Sequence, residues 1–157
     1  MSHASTRLTA RQRSIAAIAA ATVVNLPFGT IYAFSVFLKP MEAMLGIGRA
    51  QMSFVFGLAT ISLTVGMNLG PWLYRRLAPA TVMMLAGAGS ALGLWLAASA
   101  GSLAQLAVGY GLFFGLGGGV GYILVQQGVN QTVLSAGGLV NGFVVALYPL
   151  GAMIGAP

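Results

Sequence analysis

Glu42 is the only carboxylate side chain in a chain of 157 residues, His3 the only imidazole, and cysteine is absent. General acid–base catalysis needs positioned titratable groups, and a hydrolytic triad needs Ser, His and an acid within reach of one another. A thiolate metal site needs cysteine. None of these sets can be assembled, so no catalytic residue, metal ligand or cofactor is expected, and a proton relay has no titratable group to use. What remains is a series of neutral hydrogen-bonding and aromatic side chains inside apolar runs. Asn25, Phe28, Tyr32 and Ser35 recur at three- and four-residue spacing and fall on one helix face. Ser53, Gly57, Thr60, Thr64 and Asn68 do the same further on. Tyr122 and Gln126 lie one turn apart, and Asn141 and Tyr148 two turns apart beside Pro149. A polar side chain in hydrocarbon is costly, so such residues face a bundle interior or a cavity. The chemistry open to them is reversible binding of a small solute. For any single Ser or Thr the alternative is a bond to its own helix backbone or to a neighbouring helix. Trp72 and Tyr74 have the character of an interfacial belt, and Trp95 of a lipid-facing residue.

The elements that must position these side chains are membrane-length helices. Hydrophobic residues make up 58% of the chain and charged ones 5%, against about 25% charged in a soluble domain. Lipid must be the solvent for much of such a surface. Residues 1–13 read as a polar, basic tail, and residues 14–157 as a transmembrane bundle with spans at about 14–38, 51–73, 80–100, 103–127 and 139–157. Lys39-Pro40 is expected to end the first span, and Gly128–Gly138, with Asn130, Gln131, Thr132 and Ser135, to form a polar connection. The fifth span is still apolar at Pro157, which reads as a truncated sequence. A basic segment ahead of an apolar run also fits a signal peptide, but the run is too long for that and further spans follow. Runs of this length without alternation are helices, since barrel strands take about ten residues of alternating polarity. The fold class is therefore all-α, a polytopic bundle of about five transmembrane helices. The net charge of +6 forms no patch, which excludes a nucleic-acid partner. The tail (Arg7, Arg11, Arg13) and the turn at Arg75 and Arg76 lie on one side, and Lys39 and Arg49 on the other. That asymmetry puts the N-terminus in the cytoplasm and the protein in the cell's inner membrane.

Glycine is abundant, at 23 residues, and ordered. Gly111, Gly115 and Gly119 stand at four-residue intervals, with Gly117 and Gly121 offset by two; Ser62, Gly66 and Gly70 repeat the interval, as do Gly89 and Gly93. Small residues at this spacing make a groove in which two helix backbones approach closely. The same contacts would let helices slide or rock. The run from Gly115 to Gly121 is not a dinucleotide loop, because it lies inside a membrane-length segment with no strand before it.

Gly70-Pro-Trp-Leu-Tyr-Arg75-Arg-Leu-Ala-Pro, after the second span, resembles the loop motif G-x-L-A-D-R-x-G-R-K of the major facilitator superfamily. Gly70 and Arg75 match, Tyr74 stands at the acid's place, and the second basic cluster is missing. Gly142, Gly151 and Gly155 resemble the antiporter motif G-x8-G-x3-G-P, with Ala156 ahead of Pro157. Gly111 stands near the place of an arginine that many members carry in the fourth span. Gly29-Thr-Ile-Tyr32-Ala-Phe-Ser35-Val-Phe37 is similar to the first helix of oxalate/formate-antiporter and monocarboxylate-transporter-like members. The resemblance implies part of the N-terminal half of a twelve-helix secondary transporter that moves a small organic anion by alternating access. It implies substrate-wall roles for Tyr32, Tyr122 and Tyr148; Asn25, Phe28, Ser35 and Gln126 join them as candidate substrate-binding residues from the polar helix faces alone. Gly70 and Arg75 would serve the gating loop, and Gly111, Gly115, Gly119, Gly142, Gly151 and Gly155 helix packing. The missing C-terminal half would be the partner, supplying the cations that neutralise the anion. A second reading, from another class, is a small membrane protein that acts by helix–helix association as a structural or regulatory partner. An ion channel is less supported, because no repeated filter or charged ring is visible.

Overall fold

The computed structural model of the chain describes residues 9–133 and 137–155. Four helices are long and apolar enough to cross a bilayer: α1 (Ala10–Leu45), α2 (Arg49–Leu73), α3 (Pro79–Ala98) and α4 (Leu103–Thr132). A fifth, α5 (Gly137–Gly155), is apolar and shorter. The described residues contain no strand, so the architecture is all-α. The expectations that concern His3, Arg7, Ser135, Ala156 and Pro157 fall outside the described residues.

Helix boundaries follow local chemistry. Thr9 caps α1 through a reciprocal pair with Gln12: the Thr9 N–H donates to Oε1 at 2.9 Å, and Thr9 Oγ1 accepts from the Gln12 N–H at 3.3 Å. The helix therefore begins inside the basic segment, ahead of the expected span. It also runs through Lys39-Pro40, where a stop was expected. A proline interrupts one backbone bond without forbidding the turn that follows. The helix ends instead at Gly46, whose φ of 64° suits glycine, with its N–H donating to the Glu42 carbonyl. Pro79 opens α3 at a position where its missing N–H costs nothing. Ser102 caps α4 by accepting from the Gln105 N–H at 3.2 Å. At its far end α4 extends past Gln127 to Thr132, whose hydroxyl donates to the Gly128 carbonyl at 2.7 Å. Polar residues bonding to their own backbone let the helix continue where a loop was expected.

Two helices carry non-α turns. Residues Thr30–Ala33 of α1 are wound as a 3₁₀ turn, shortly after Pro27. Residues Ala107–Phe114 of α4 are wound more widely, as a π-helix. The two irregular segments meet: the Tyr110 hydroxyl donates to the Ile31 carbonyl at 2.9 Å. The Tyr110 ring lies 4.8 Å from Phe34 and 5.2 Å from Phe114, inside a core that includes Met52 and Val55.

Helix α4 is the hub. Half of its apolar stretch is buried, against 28–33% for the other three spans. It packs along α2 most extensively, then α3, then α1, while α5 lies mainly on α1. The glycines divide among these neighbours. Gly111, Gly115 and Gly119 face Leu58, Ala59 and Leu63 of α2, and a Cβ on Gly115 would lie 2.6 Å from the Ala59 carbonyl oxygen. Gly109 and Gly117 face Gly93 and Ser90 of α3. Gly121 faces Phe28 of α1, and Gly118 has Phe28 and Tyr148 of α5 in ordinary contact. Residues two apart on a helix are about 200° apart around its axis, so glycines offset by two serve different partners. Close backbone approach replaces side-chain interdigitation, as expected where lipid gives no apolar driving force.

Candidate functional site

The 3₁₀ turn determines what the first helix presents. Tyr32 lies within it and is half exposed, at 51%. Tyr148 of α5 stands beside it, edge to face, with ring centroids 6.1 Å apart. Tyr122 of α4 meets Tyr148 in the same edge-on manner at 4.9 Å. The backbone of Gly29 runs directly against the Tyr148 carbonyl, with no room for a Cβ, and the Tyr148 hydroxyl donates to the Gly118 carbonyl at 3.3 Å. Tyr148 is thus held from both sides. The hydroxyls of Tyr32 and Tyr122 bond to no described residue.

These three rings, with Met67, Val145 and Pro149, line an open hollow of about 330 Å³. A second hollow of about 160 Å³ adjoins it, lined by Tyr32, Phe34, Ser35, Leu38, Ser53 and Phe56. Tyr32 belongs to both and separates them. No charged side chain lines either one. The arrangement offers aromatic edges, two free phenol hydroxyls and apolar walls, which suits reversible binding of a small solute.

Asn25, Phe28 and Gln126 lie elsewhere. Asn25 is fully buried and its Nδ2 donates to the Val144 carbonyl at 3.3 Å, tying α1 to α5. Phe28 is buried against Gly121. Gln126 Nε2 donates to Asn141 Oδ1 at 2.8 Å, tying α4 to α5. Asn25 Oδ1 and Gln126 Oε1 are buried without a partner among the described residues. Asn25 precedes the 3₁₀ turn and packs on α5, whereas Tyr32 lies within the turn, where each residue advances about 120° rather than about 100° around the axis, and opens on the hollow.

On α2, Thr60 donates to the Gly57 carbonyl (2.8 Å), Thr64 to Thr60 (3.0 Å) and Asn68 to Thr64 (2.8 Å). The polar stripe satisfies itself, yet it borders the hollows, through Ser53 at one and Met67 at the other. Met67 is a lining residue that sequence reasoning missed. It stands seven residues after Thr60, on the same face, so the helical period did carry the signal. Val145 and Pro149 carried none beyond their nearness to Tyr148.

In the last turn of α2 Gly70 packs against the Ile123 side chain; in the turn that follows, Arg75 is exposed and the Arg76 guanidinium lies 4.7 Å from the Trp72 ring centroid. Gly151 is pressed against the Leu26 carbonyl, whereas a Cβ on Gly142 would meet open space. Gly155 is the last residue of α5.

No family model matches the chain. It is 28% identical, over 131 residues, to YhjX of Escherichia coli (strain K12), an uncharacterized MFS-type transporter; the match covers 83% of this chain and 33% of the relative. The chain thus spans about a third of the length of the curated relative it matches. The helices define a multi-pass membrane protein by length and composition. The similarity supports the major facilitator superfamily as its class.

Proposed function

We propose that the chain forms part of a facilitator-type secondary transporter and supplies one wall of the cavity for a small organic anion such as a mono- or dicarboxylate. The observation that carries this reading is the convergence of Tyr32, Tyr122 and Tyr148, from three different helices, on one open hollow. Ser35 extends the polar wall into the adjoining hollow. The relative is about three times as long as the stretch it shares, which leaves room for a second half to face this one. Substrate would bind near the bilayer midplane between the halves and be exposed to each side in turn as they rock. Because the hollow has no charge of its own, the cations that hold the anion belong to that second half. The protein resides in the inner membrane with its N-terminus cytoplasmic, as the basic residues favour.

The test is uptake into proteoliposomes by the full-length protein, with a panel of radiolabelled carboxylates. Tyr32→Phe removes a hydroxyl that bonds to no described residue, so any loss of transport reports on substrate and not on folding. A several-fold lower uptake is expected, consistent with about 1 kcal/mol for one hydrogen bond. Uptake kinetics unchanged from wild type would count against the assignment.

A further inference from the structure

Arg75 and Arg76 stand side by side in the turn between α2 and α3. The only acidic side chain of the chain, Glu42, is engaged by Arg49 at 2.7 Å, so these two guanidiniums have no carboxylate side chain of the chain to pair with. Arg76 is held at the rim by its stacking on Trp72, a half-exposed residue of the interfacial type. From the same turn an apolar groove of about 230 Å³ runs along the bundle, with Leu77, Leu73 and Leu69 on one wall and Leu85 and Gly89 on the other. Leu69, Leu77 and Leu85 are 44%, 41% and 60% exposed, so the groove opens sideways, where lipid would be. Its α3 wall, from Val82 to Gly89, rises about 10 Å at 1.5 Å per residue, roughly two thirds of one leaflet's share of a hydrocarbon core about 30 Å thick.

A cationic pair with no acidic side chain of this chain beside it, at one end of a lateral apolar groove, calls for a ligand with a negative head and an apolar tail. We propose that this turn and groove bind an anionic phospholipid, with the phosphate at Arg75 and Arg76 and one acyl chain between α2 and α3. A soluble anion would use only the arginines, and a packed helix only the groove. A phospholipid of the facing leaflet uses both, and basic residues at this depth attract anionic headgroups.

The protein, purified in mild detergent, is offered an equimolar mixture of phosphatidylglycerol and phosphatidylcholine, and the retained lipid is counted by native mass spectrometry. One phosphatidylglycerol per protein is expected, with roughly tenfold preference over phosphatidylcholine. Two variants separate the parts of the site. The double variant Arg75→Gln, Arg76→Gln removes the charge. Gly89→Leu fills the groove from a position where a Cβ meets nothing within 4 Å. Each should bring the preference close to one while wild-type helicity is kept, as read by circular dichroism. An absence of preference in the wild type would overturn the proposal, and would point to a carboxylate elsewhere in the protein as the partner of the arginines. Full preference in Gly89→Leu would also overturn it, as would displacement of the lipid by excess inorganic phosphate, since both mean that the groove takes no part.

Discussion

At the scale of single residues, two tyrosines separated by environment make opposite predictions. The Tyr110 hydroxyl is buried and donates across the bundle to Ile31. Tyr110→Phe keeps the ring contacts with Phe34 and Phe114 and removes only that bond. Its net cost is about 1 kcal/mol, more if the carbonyl is left unsatisfied, and should appear as a lower thermal midpoint in detergent. Tyr32→Phe, by contrast, should leave the midpoint where it was and lower uptake. If the two variants shift stability alike, the distinction drawn between a structural and a substrate-facing hydroxyl fails. Asn25 belongs with Tyr110: its amide ties α1 to α5.

At the scale of elements, the glycines of α4 separate into those that must be glycine and those that need not be. A Cβ on Gly119 would collide with the Leu63 carbonyl, which is backbone and cannot swing aside. Gly119→Ala should therefore push α2 and α4 apart, at a cost of about 1–3 kcal/mol or more. Gly142 of α5 has open space around it, and alanine is the better helix former by about 1 kcal/mol. Gly142→Ala should be neutral or slightly stabilising. Folded yield and thermal midpoint, measured side by side, decide this, and equal behaviour of the two variants would contradict the packing account. The π-wound segment Ala107–Phe114 lies in the same helix and carries Gly109 and Gly111 to α3 and α2. Wide winding is often found at functional sites, and here it places Tyr110 against α1.

At the scale of the whole molecule, the prediction concerns sidedness. The chain has no cysteine, so a single cysteine placed in it meets no other thiol of the chain. Gly48 and Gly101 occupy the α1–α2 and α3–α4 connections, with free space for a side chain, and alternate helices bring these two turns to one side. Gly48→Cys and Gly101→Cys should react with a membrane-impermeant maleimide in intact cells, and Arg75→Cys only after the membrane is opened. Labelling of Arg75→Cys from outside would invert the proposed orientation.

The helices and their membrane length could be read from residue order, because hydropathy and the 3.6-residue period are local properties. The same holds for the two-residue offsets among Gly115, Gly117 and Gly119, which already imply several packing faces. Residue order also brought together Tyr32, Tyr122 and Tyr148, though by resemblance and not by spacing. Tertiary structure decided the rest. It assigned Gly117 to α3 and Gly119 to α2, since a face says nothing about which neighbour fills it. It turned Asn25 inward to α5 and left Tyr32, within the 3₁₀ turn, at the hollow, since only the approach of α5 decides which polar group is covered. It also carried α1 through Pro40 and α4 through Gly128, where a breaker residue alone argued for an end. Local pattern tells which side of a helix is unlike the others; only the approach of a second backbone determines whether that side becomes a contact or a cavity wall.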